Sequence, residues 1–133
     1  MEWWRDQHPI GYLGLRHVTF MTDDIGSSRD FWLELCGGHE VYREARPDAN
    51  AEAIGLDIGI PVELLTPVGD GPAMAFFEKF GKKIRSITFN VAELGRTKEY
   101  FSSRGITLAA GDLPGSLMLT AEDNRGGIIQ FVE

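Results

Sequence analysis

The residues best suited to chemistry are a histidine, His17, and a glutamate, Glu63, each within a predicted strand. An imidazole titrates close to neutral pH, so it can take up and release a proton, and a carboxylate beside it can share that work. The equivalent positions of an internal repeat hold Ser86 and Gln130, whose polar groups form hydrogen bonds without exchanging protons at neutral pH. We therefore expect acid–base chemistry at the first two residues, with a purely structural His17 as the alternative.

The internal repeat relates these four positions. Residues 17–35 align without a gap with residues 86–104, and the identical pairs are Thr19/Thr88, Phe20/Phe89 and Gly26/Gly95. Residues 61–65 align in the same way with residues 128–132. Because a fold-level repeat relates equivalent strand positions, we expect the four side chains to converge around a pseudo-twofold axis.

The hydrophobic pattern predicts the same order of elements in both halves. The first half is predicted to contain a strand at 15–22, a helix at 25–36 capped by Asp23 or Asp24, and strands at 39–45, 51–58 and 61–66. The second half is predicted to contain a strand at 84–91, a helix at 92–104, and strands near 106–109, 116–121 and 127–132. Each half is thus a β-α-β-β-β module.

These elements predict an α+β fold in which two tandem βαβββ modules form a curved, mostly antiparallel sheet with helices on its convex face. The predicted single domain consists of an N-terminal arm at 1–14, the first module at 15–66, a linker with a short helix at 67–83, and the second module at 84–133. Polar strand residues fall on the face opposite the helices, and they are His17, Thr19, Ser86, Thr88 and Asn90. This predicts a cavity on that face, with simple solvent exposure as the alternative.

Composition limits the functional classes. The net charge of −7 disfavours nucleic acids and anionic membranes as main partners. The single cysteine, Cys36, excludes an internal disulfide and fits a reducing compartment. No apolar run is long enough to span a membrane, and the N-terminal residues do not resemble a secretory signal, so we expect a cytoplasmic protein.

Four motifs follow one another along the chain: LRHVTF at 15–20, DDIGSSRDFWLELCGG at 23–38, VELLTPVGDGPAMAFFEKFG at 62–81 and GGIIQFVE at 126–133. In this order and spacing they resemble the vicinal oxygen chelate superfamily, also called the glyoxalase or bleomycin-resistance fold. The segment from Glu63 to Gly81 is most similar to methylmalonyl-CoA epimerases. The resemblance covers nearly everything from Leu15 to Glu133.

The resemblance implies a divalent metal held by the first and fourth strands of both modules, with His, Glu or Gln, His and Glu as the usual ligands. His17 and Glu63 match the first two ligands, whereas Ser86 and Gln130 stand where a second histidine and a second carboxylate are expected. An imidazole and a carboxylate suit zinc, cobalt, nickel or manganese, but a hydroxyl is a poor ligand and an amide oxygen is neutral. The resemblance therefore implies a weak or lost metal site at His17, Glu63 and Gln130.

In the epimerases that the chain resembles, a metal stabilises an enolate oxygen while carboxylates move the proton next to a thioester carbonyl. Gln130 stands at one of the two base positions and cannot accept a proton near neutral pH. Glu52 lies one residue from the other, and a one-residue slip turns a strand side chain to the opposite face. True methylmalonyl-CoA epimerase activity is therefore not expected.

The predicted function is an isomerase or lyase that acts on a small carbonyl compound, such as an acyl-thioester or another anionic ligand. His17 and Glu63 are its predicted catalytic residues, and Ser86, Gln130 and Asn90 are expected to bind the substrate. The alternative is a non-catalytic binding protein of the bleomycin-resistance type. An exposed sheet edge also favours a homodimer.

Two further groups of residues have open interpretations. Arg43 and Arg46 could meet a carboxylate or phosphate, but a solvated loop is favoured. The aromatic residues Trp3, Trp4 and Tyr12 of the arm could cover a sheet edge, form a dimer contact or close a pocket, and the first is favoured.

Overall fold

The computed structural model describes residues 2–120, 122 and 127–133. The helices within them are α1 (Glu2–Asp6), α2 (Ile25–Cys36), α3 (Pro72–Phe80) and α4 (Leu94–Ser102). The strands are β1 (Tyr12–Met21), β2 (His39–Arg46), β3 (Ala51–Asp57), β4 (Pro61–Pro67), β5 (Ile84–Val91), β6 (Ala109–Ala110), β7 (Leu117–Leu119) and β8 (Ile129–Val132). In this part of the chain no helix is both long and apolar enough to cross a bilayer.

The β-α-β-β-β order occurs twice, as predicted, and the fold is α+β. The largest difference lies in the second module, where the strand predicted at 106–109 is reduced to the two residues of β6. Residue 121, the predicted end of the next strand, lies outside the described residues. The arm contains a short helix, α1, that the hydrophobic pattern did not predict.

The chain forms two compact units. The first unit comprises residues 17–85, and the second combines residues 1–16 with residues 86–133. Strand order in the first unit is β2-β3-β4-β1, and in the second unit it is β5-β8-β7-β6. The first and last strands of each module pair in parallel, and the other pairs within each unit are antiparallel.

The strand register repeats between the modules. In the first unit Thr19 pairs with Glu63 across β1 and β4. In the second unit Thr88 pairs with Gln130 across β5 and β8. The aligned residues of the sequence repeat therefore hold the same places in two parallel strand pairs, which gives the repeat a structural meaning.

Apolar residues on one face of the first unit's sheet pack against α2. Asp24 caps this helix, and its side chain accepts a hydrogen bond from Ser27 N at 3.1 Å. The ring of Trp32 lies on Phe20, with centroids 5.1 Å apart. The buried core on this face consists of Ile54, Leu56, Val62 and Leu64. Since side chains alternate along a strand, the intervening residues of the same strands point to the opposite face.

The opposite face of this sheet carries a second apolar cluster at one end only. Helix α3 begins at Pro72, whose fixed φ suits the first turn, and packs with Phe76 and Phe77 against this cluster. The buried members are Met21, Ala49, Ala51, Ala53, Leu65 and Ala73. The linker helix thus lies on the face opposite α2 and leaves the neighbouring part of that face to polar residues.

The core of the second unit joins the arm to α4 and the sheet. Ile10, Val91, Leu119 and Phe131 are buried there, and the ring of Tyr12 contacts that of Phe89 edge to face. Trp3 and Trp4 stay about half exposed. Their rings contact that of His8. The arm is therefore part of this unit's core through Ile10 and Tyr12.

Candidate active site

His17 and Glu63 lie together on the polar face of the first unit. Both side chains are buried, and His17 Nε2 is 3.6 Å from Glu63 Oε1. Thr19, two residues after the histidine and on the same strand face, donates a hydrogen bond to the same carboxylate oxygen at 3.2 Å. The parallel pairing of β1 and β4 therefore brings an imidazole and a carboxylate into contact away from solvent.

The other carboxylate oxygen of Glu63 is held by two residues of β2. The Tyr42 hydroxyl donates to Oε2 at 2.5 Å, and Arg46 Nη2 donates to it at 2.8 Å. Arg46 is buried. A buried carboxylate needs a nearby positive charge and hydrogen-bond donors to offset the loss of hydration, and β2 supplies both.

A glycine on β3, the strand between β2 and β4, allows the Tyr42 side chain to reach Glu63. Gly55 of β3 lies between Tyr42 and Glu63 in the strand register. A Cβ built on Gly55 would overlap the ring of Tyr42. The missing side chain lets the Tyr42 ring lie across β3 and place its hydroxyl on the carboxylate.

The electrostatic environment keeps Tyr42 protonated and Arg46 charged. Burial and then the negative charge of Glu63 raise the pKa of Tyr42 far above its usual range. Burial alone would lower the pKa of Arg46, but the charges of Glu63 and Glu44 outweigh it and raise the pKa. Both groups therefore act as donors to Glu63 throughout the physiological pH range.

The second unit holds the other predicted pair, Ser86 and Gln130, and both are buried. Gln130 Nε2 donates to Ser86 Oγ at 3.0 Å, and Gln130 Oε1 accepts from the main-chain nitrogen of Asp112 at 2.7 Å. A Cβ on Gly111 would lie only 2.6 Å from Gln130 Oε1. A glycine again makes space beside the key side chain, but here the partners are uncharged.

Asn90, the third predicted substrate-binding residue, is placed differently. Its side-chain oxygen accepts a hydrogen bond from Arg16 Nη1 at 3.3 Å in a partly exposed position. The structure thus brings His17 to Glu63 and Ser86 to Gln130, with Asn90 beside Arg16. Convergence of the two pairs on one site stays a prediction from the repeat.

The residues present do not fit a divalent metal well. Both oxygens of Glu63 already accept hydrogen bonds from Thr19, Tyr42 and Arg46, and the amide oxygen of Gln130 accepts one from the main chain of Asp112. Within the described residues no group of three histidine, cysteine or carboxylate side chains is arranged to bind a metal ion. The positive charge next to Glu63 belongs to Arg46 instead.

Sequence reasoning missed two residues of this site. Tyr42 received no role, and Arg46 was expected in a solvated loop because the predicted strand ended at residue 45. The strand includes Arg46. Because every second residue of a strand points to the same face, Tyr42, Glu44 and Arg46 share one face. Arg43, also expected in a solvated loop, lies within β2, and its exposed side chain contacts Glu40 at 3.1 Å. Extending the period-two pattern by one residue would have placed Arg46 on the face of Tyr42.

The register also decides the role of Glu52. Glu52 pairs with Thr66 and Ala45, so it points away from the face that holds Glu63, whereas Ala53 pairs with Leu65 on that face. Glu52 forms a long contact of 3.9 Å with Arg43 near the surface. The tentative second base is therefore absent from the polar face of the first unit.

Comparison with known proteins identifies a family. The model of the Glyoxalase/Bleomycin resistance protein/Dioxygenase superfamily matches residues 14–131. No curated protein matches the chain in sequence. The family match covers both modules and includes all the residues of the two polar pairs.

Solved structures share the fold at low sequence identity. A methylmalonyl-CoA epimerase from Mycobacterium tuberculosis is 21% identical, with a TM-score of 0.82 over 92% of this chain and 88% of that one. A hypothetical protein from Bacillus halodurans is 22% identical, with a TM-score of 0.78 over 88% and 91%. A methylmalonyl-CoA epimerase in complex with methylmalonyl-CoA is 18% identical, with a TM-score of 0.79 over 90% and 93%. At these identities the similarity establishes the fold.

Proposed function

The chain belongs to the Glyoxalase/Bleomycin resistance protein/Dioxygenase superfamily, and we propose that it is an isomerase-type enzyme that moves a proton next to the carbonyl of a small acyl compound. The observation that carries the proposal is the buried contact of 3.6 Å between His17 Nε2 and Glu63 Oε1. Among the predicted site residues, this pair alone combines an imidazole, which can take up and release a proton, with a buried carboxylate.

In this proposal His17 accepts and releases the proton, and Glu63 positions the imidazole. The carboxylate oxygens accept from Thr19, Tyr42 and Arg46, so they are less available to take a proton from a substrate. A proton that arrives on His17 Nε2 is stabilised by the negative charge beside it. The donors on Glu63 fix its orientation, and this also fixes the position of its charge relative to the imidazole.

The second module supplies hydrogen-bonding groups. Because Ser86 Oγ accepts from Gln130, its own proton is available for donation to a ligand oxygen. Ser86, Gln130 and Asn90 stay the proposed substrate-binding residues. Two similar structures are methylmalonyl-CoA epimerases in complex with methylmalonyl-CoA and with 2-nitronate-propionyl-CoA, which makes acyl-thioesters the first substrates to test.

Isotope exchange tests the proposal. The protein is incubated in heavy water with a panel of acyl-CoA thioesters, including methylmalonyl-CoA, and deuterium uptake next to the carbonyl is followed by NMR. We expect exchange in at least one substrate, and we expect His17→Ala to slow it by roughly 10²–10⁴-fold, the usual contribution of a positioned acid–base group. The matched control is His39→Ala, since His39 is an exposed histidine outside the site.

Two outcomes would contradict the proposal. One is the absence of exchange across the whole panel with correctly folded protein. The other is exchange that survives His17→Ala at a rate close to that of the His39→Ala control. Homodimer formation and a cytoplasmic location stay predictions from the sequence.

One observation favours the alternative of a binding protein without catalysis. The Glu63 network is complete without any substrate, because Arg46, Tyr42 and Thr19 already occupy the carboxylate. Such a network can stabilise the sheet without taking part in any reaction. Calorimetric binding of an acyl-CoA, unchanged by His17→Ala and without isotope exchange, would support this alternative.

A further inference from the structure

The charge balance of the Glu63 site differs from the one that a metal site requires. Glu63 is buried at the centre of β4, and an uncompensated buried carboxylate is strongly unfavourable. In a metal site the ion supplies the compensating charge, and the carboxylate oxygens bind it directly. Here the compensating charge is already covalently part of the chain.

Arg46 supplies this charge from the end of β2. Its side chain is buried like that of Glu63, and Nη2 is 2.8 Å from Glu63 Oε2. Its other terminal nitrogen, Nη1, contacts Glu44, a half-exposed residue whose charge is partly hydrated. The ring of Tyr42 lies below the guanidinium, with the Arg46 Cζ atom 5.7 Å from the ring centroid. The guanidinium is thus held in place from three sides.

The remaining candidate ligands do not restore a metal site. The amide oxygen of Gln130 is neutral and already accepts from Asp112 N at 2.7 Å, so it offers a cation only its second lone pair and no charge. A divalent ion at Glu63 would also lie close to the guanidinium and be repelled by it. His17 and Glu63 would be left as two ligands with a competing cation.

We infer that Arg46 is a built-in cation that takes the place of a divalent metal at Glu63 and keeps metal ions out of the site. The inference concerns the charge balance of the first unit, so it does not rest on the proposed function. It predicts that the site becomes a better metal site when the guanidinium is removed.

Cobalt binding tests the inference without an activity assay. Purified protein, freed of metal with a chelator, is titrated with Co²⁺, and binding is followed by visible absorption and by elemental analysis. We expect the unaltered protein to bind with a Kd weaker than about 1 mM and its Tm to be unchanged by the ion. Arg46→Met keeps much of the side-chain volume but removes the charge. It should bind Co²⁺ at least about 10-fold more tightly, with an absorption band that His17→Ala removes.

Arg43→Met is the matched control, because Arg43 is on the same strand but exposed. It should bind no more Co²⁺ than the unaltered protein. The inference is overturned if the unaltered protein binds Co²⁺ in the micromolar range and loses it on His17→Ala or Glu63→Gln. It is equally overturned if folded Arg46→Met binds no more Co²⁺ than Arg43→Met.

A second variant covers the case in which Arg46→Met does not fold. The double variant Arg46→Met with Glu63→Gln has no charge at either position, so it should fold if charge compensation is the role of Arg46. Recovery of folding in the double variant, or in the single variant only when Co²⁺ is added, supports the inference. Failure of both to fold overturns it, because Arg46 is then needed for something other than charge balance.

Discussion

The polar faces of the two units start from the same strand pairing and balance their buried groups in different ways. In the first unit, Thr19 and Glu63 are paired across parallel strands, and the carboxylate is compensated by the charged Arg46. In the second unit, Thr88 and Gln130 occupy the equivalent places, and among the described residues the amide bonds uncharged partners, Ser86 and the main chain of Asp112. The first unit thus pairs a buried carboxylate with a buried guanidinium, whereas the second unit pairs a buried amide with uncharged hydrogen-bonding groups.

The difference shows two ways in which equivalent positions of a duplicated module can satisfy a buried polar group. A carboxylate kept at position 63 requires a cation, and the longer strand β2 provides one. An amide at position 130 requires only hydrogen bonds, and the short strand β6 with the segment around Gly111 provides a backbone donor. The carboxylate of Glu63 and the amide of Gln130 each find their hydrogen-bond partners within their own unit.

Replacing Glu63 by glutamine, or Gln130 by glutamate, should have the largest effect on the free energy of unfolding. Glu63→Gln leaves Arg46 buried without its buried partner and should lower the free energy of unfolding by about 3–5 kcal/mol, the usual cost of breaking a buried ion pair. Gln130→Glu buries a carboxylate whose hydrogen-bond partners in the described residues are uncharged, and it should cost a similar amount. Urea unfolding measures both changes.

Exposed residues provide the controls for this exchange. Glu52→Gln and Gln7→Glu make the same chemical changes at sites outside the two polar pairs and should change stability by less than about 1 kcal/mol. A loss below about 1 kcal/mol for Glu63→Gln would mean that its charge is not buried as described.

The two glycines beside the key side chains should show a smaller effect. Gly55→Ala pushes the Tyr42 ring off the carboxylate, and Gly111→Ala presses on Ser116 and Gln130. Each should cost about 1–3 kcal/mol, as overpacking usually does. Thermal unfolding measures the loss, and Gly95→Ala is the control because a Cβ there meets nothing within 4 Å.

The contact with Tyr42 can be isolated in a second background. If the ring causes the loss, Gly55→Ala should cost much less when Tyr42 is already replaced by alanine. An equal cost in both backgrounds would show that the glycine serves the strand itself rather than the path of the tyrosine.

The two equivalent threonines should show the smallest and most specific difference. Thr19 donates to the carboxylate, whereas Thr88 Oγ1 is buried without a hydrogen-bond partner in the described part of the chain. Thr19→Val should therefore destabilise by about 1–2 kcal/mol, and Thr88→Val should be neutral or stabilising. Equal effects in chemical unfolding would mean that the two half-sites do not differ in this respect.

The fold could be predicted from the sequence because its signals are local and repeated. The alternation of LRHVTF and the cap at Asp24 define the first strand and helix, and the repeat transfers the same assignment to residues 86–104. The prediction of secondary structure was least accurate at the end of the second module. Strand β6 has only two residues there, which is too short for an alternating pattern to be recognised.

The site was predictable only in part. His17 and Glu63 stand at positions marked by the repeat and by the family resemblance, and the structure brings them into contact. Arg46 and Tyr42 reach Glu63 across an intervening strand, and this depends on the pairing register and on the space above Gly55. The sequence of one strand reveals neither property. A long charged side chain next to a predicted turn, such as Arg46, would ordinarily be placed in solvent.

The coupling energy between Arg46 and Glu63 tests the central claim most directly. Urea unfolding of Arg46→Met, Glu63→Gln and the double variant gives this energy as the amount by which the double change costs less than the sum of the single ones. If the guanidinium is the cation of this site, the coupling should be about 2–3 kcal/mol, within the range observed for residues in direct contact. Additive losses, with a coupling below about 0.5 kcal/mol, would contradict it, because the two buried charges would then not depend on each other.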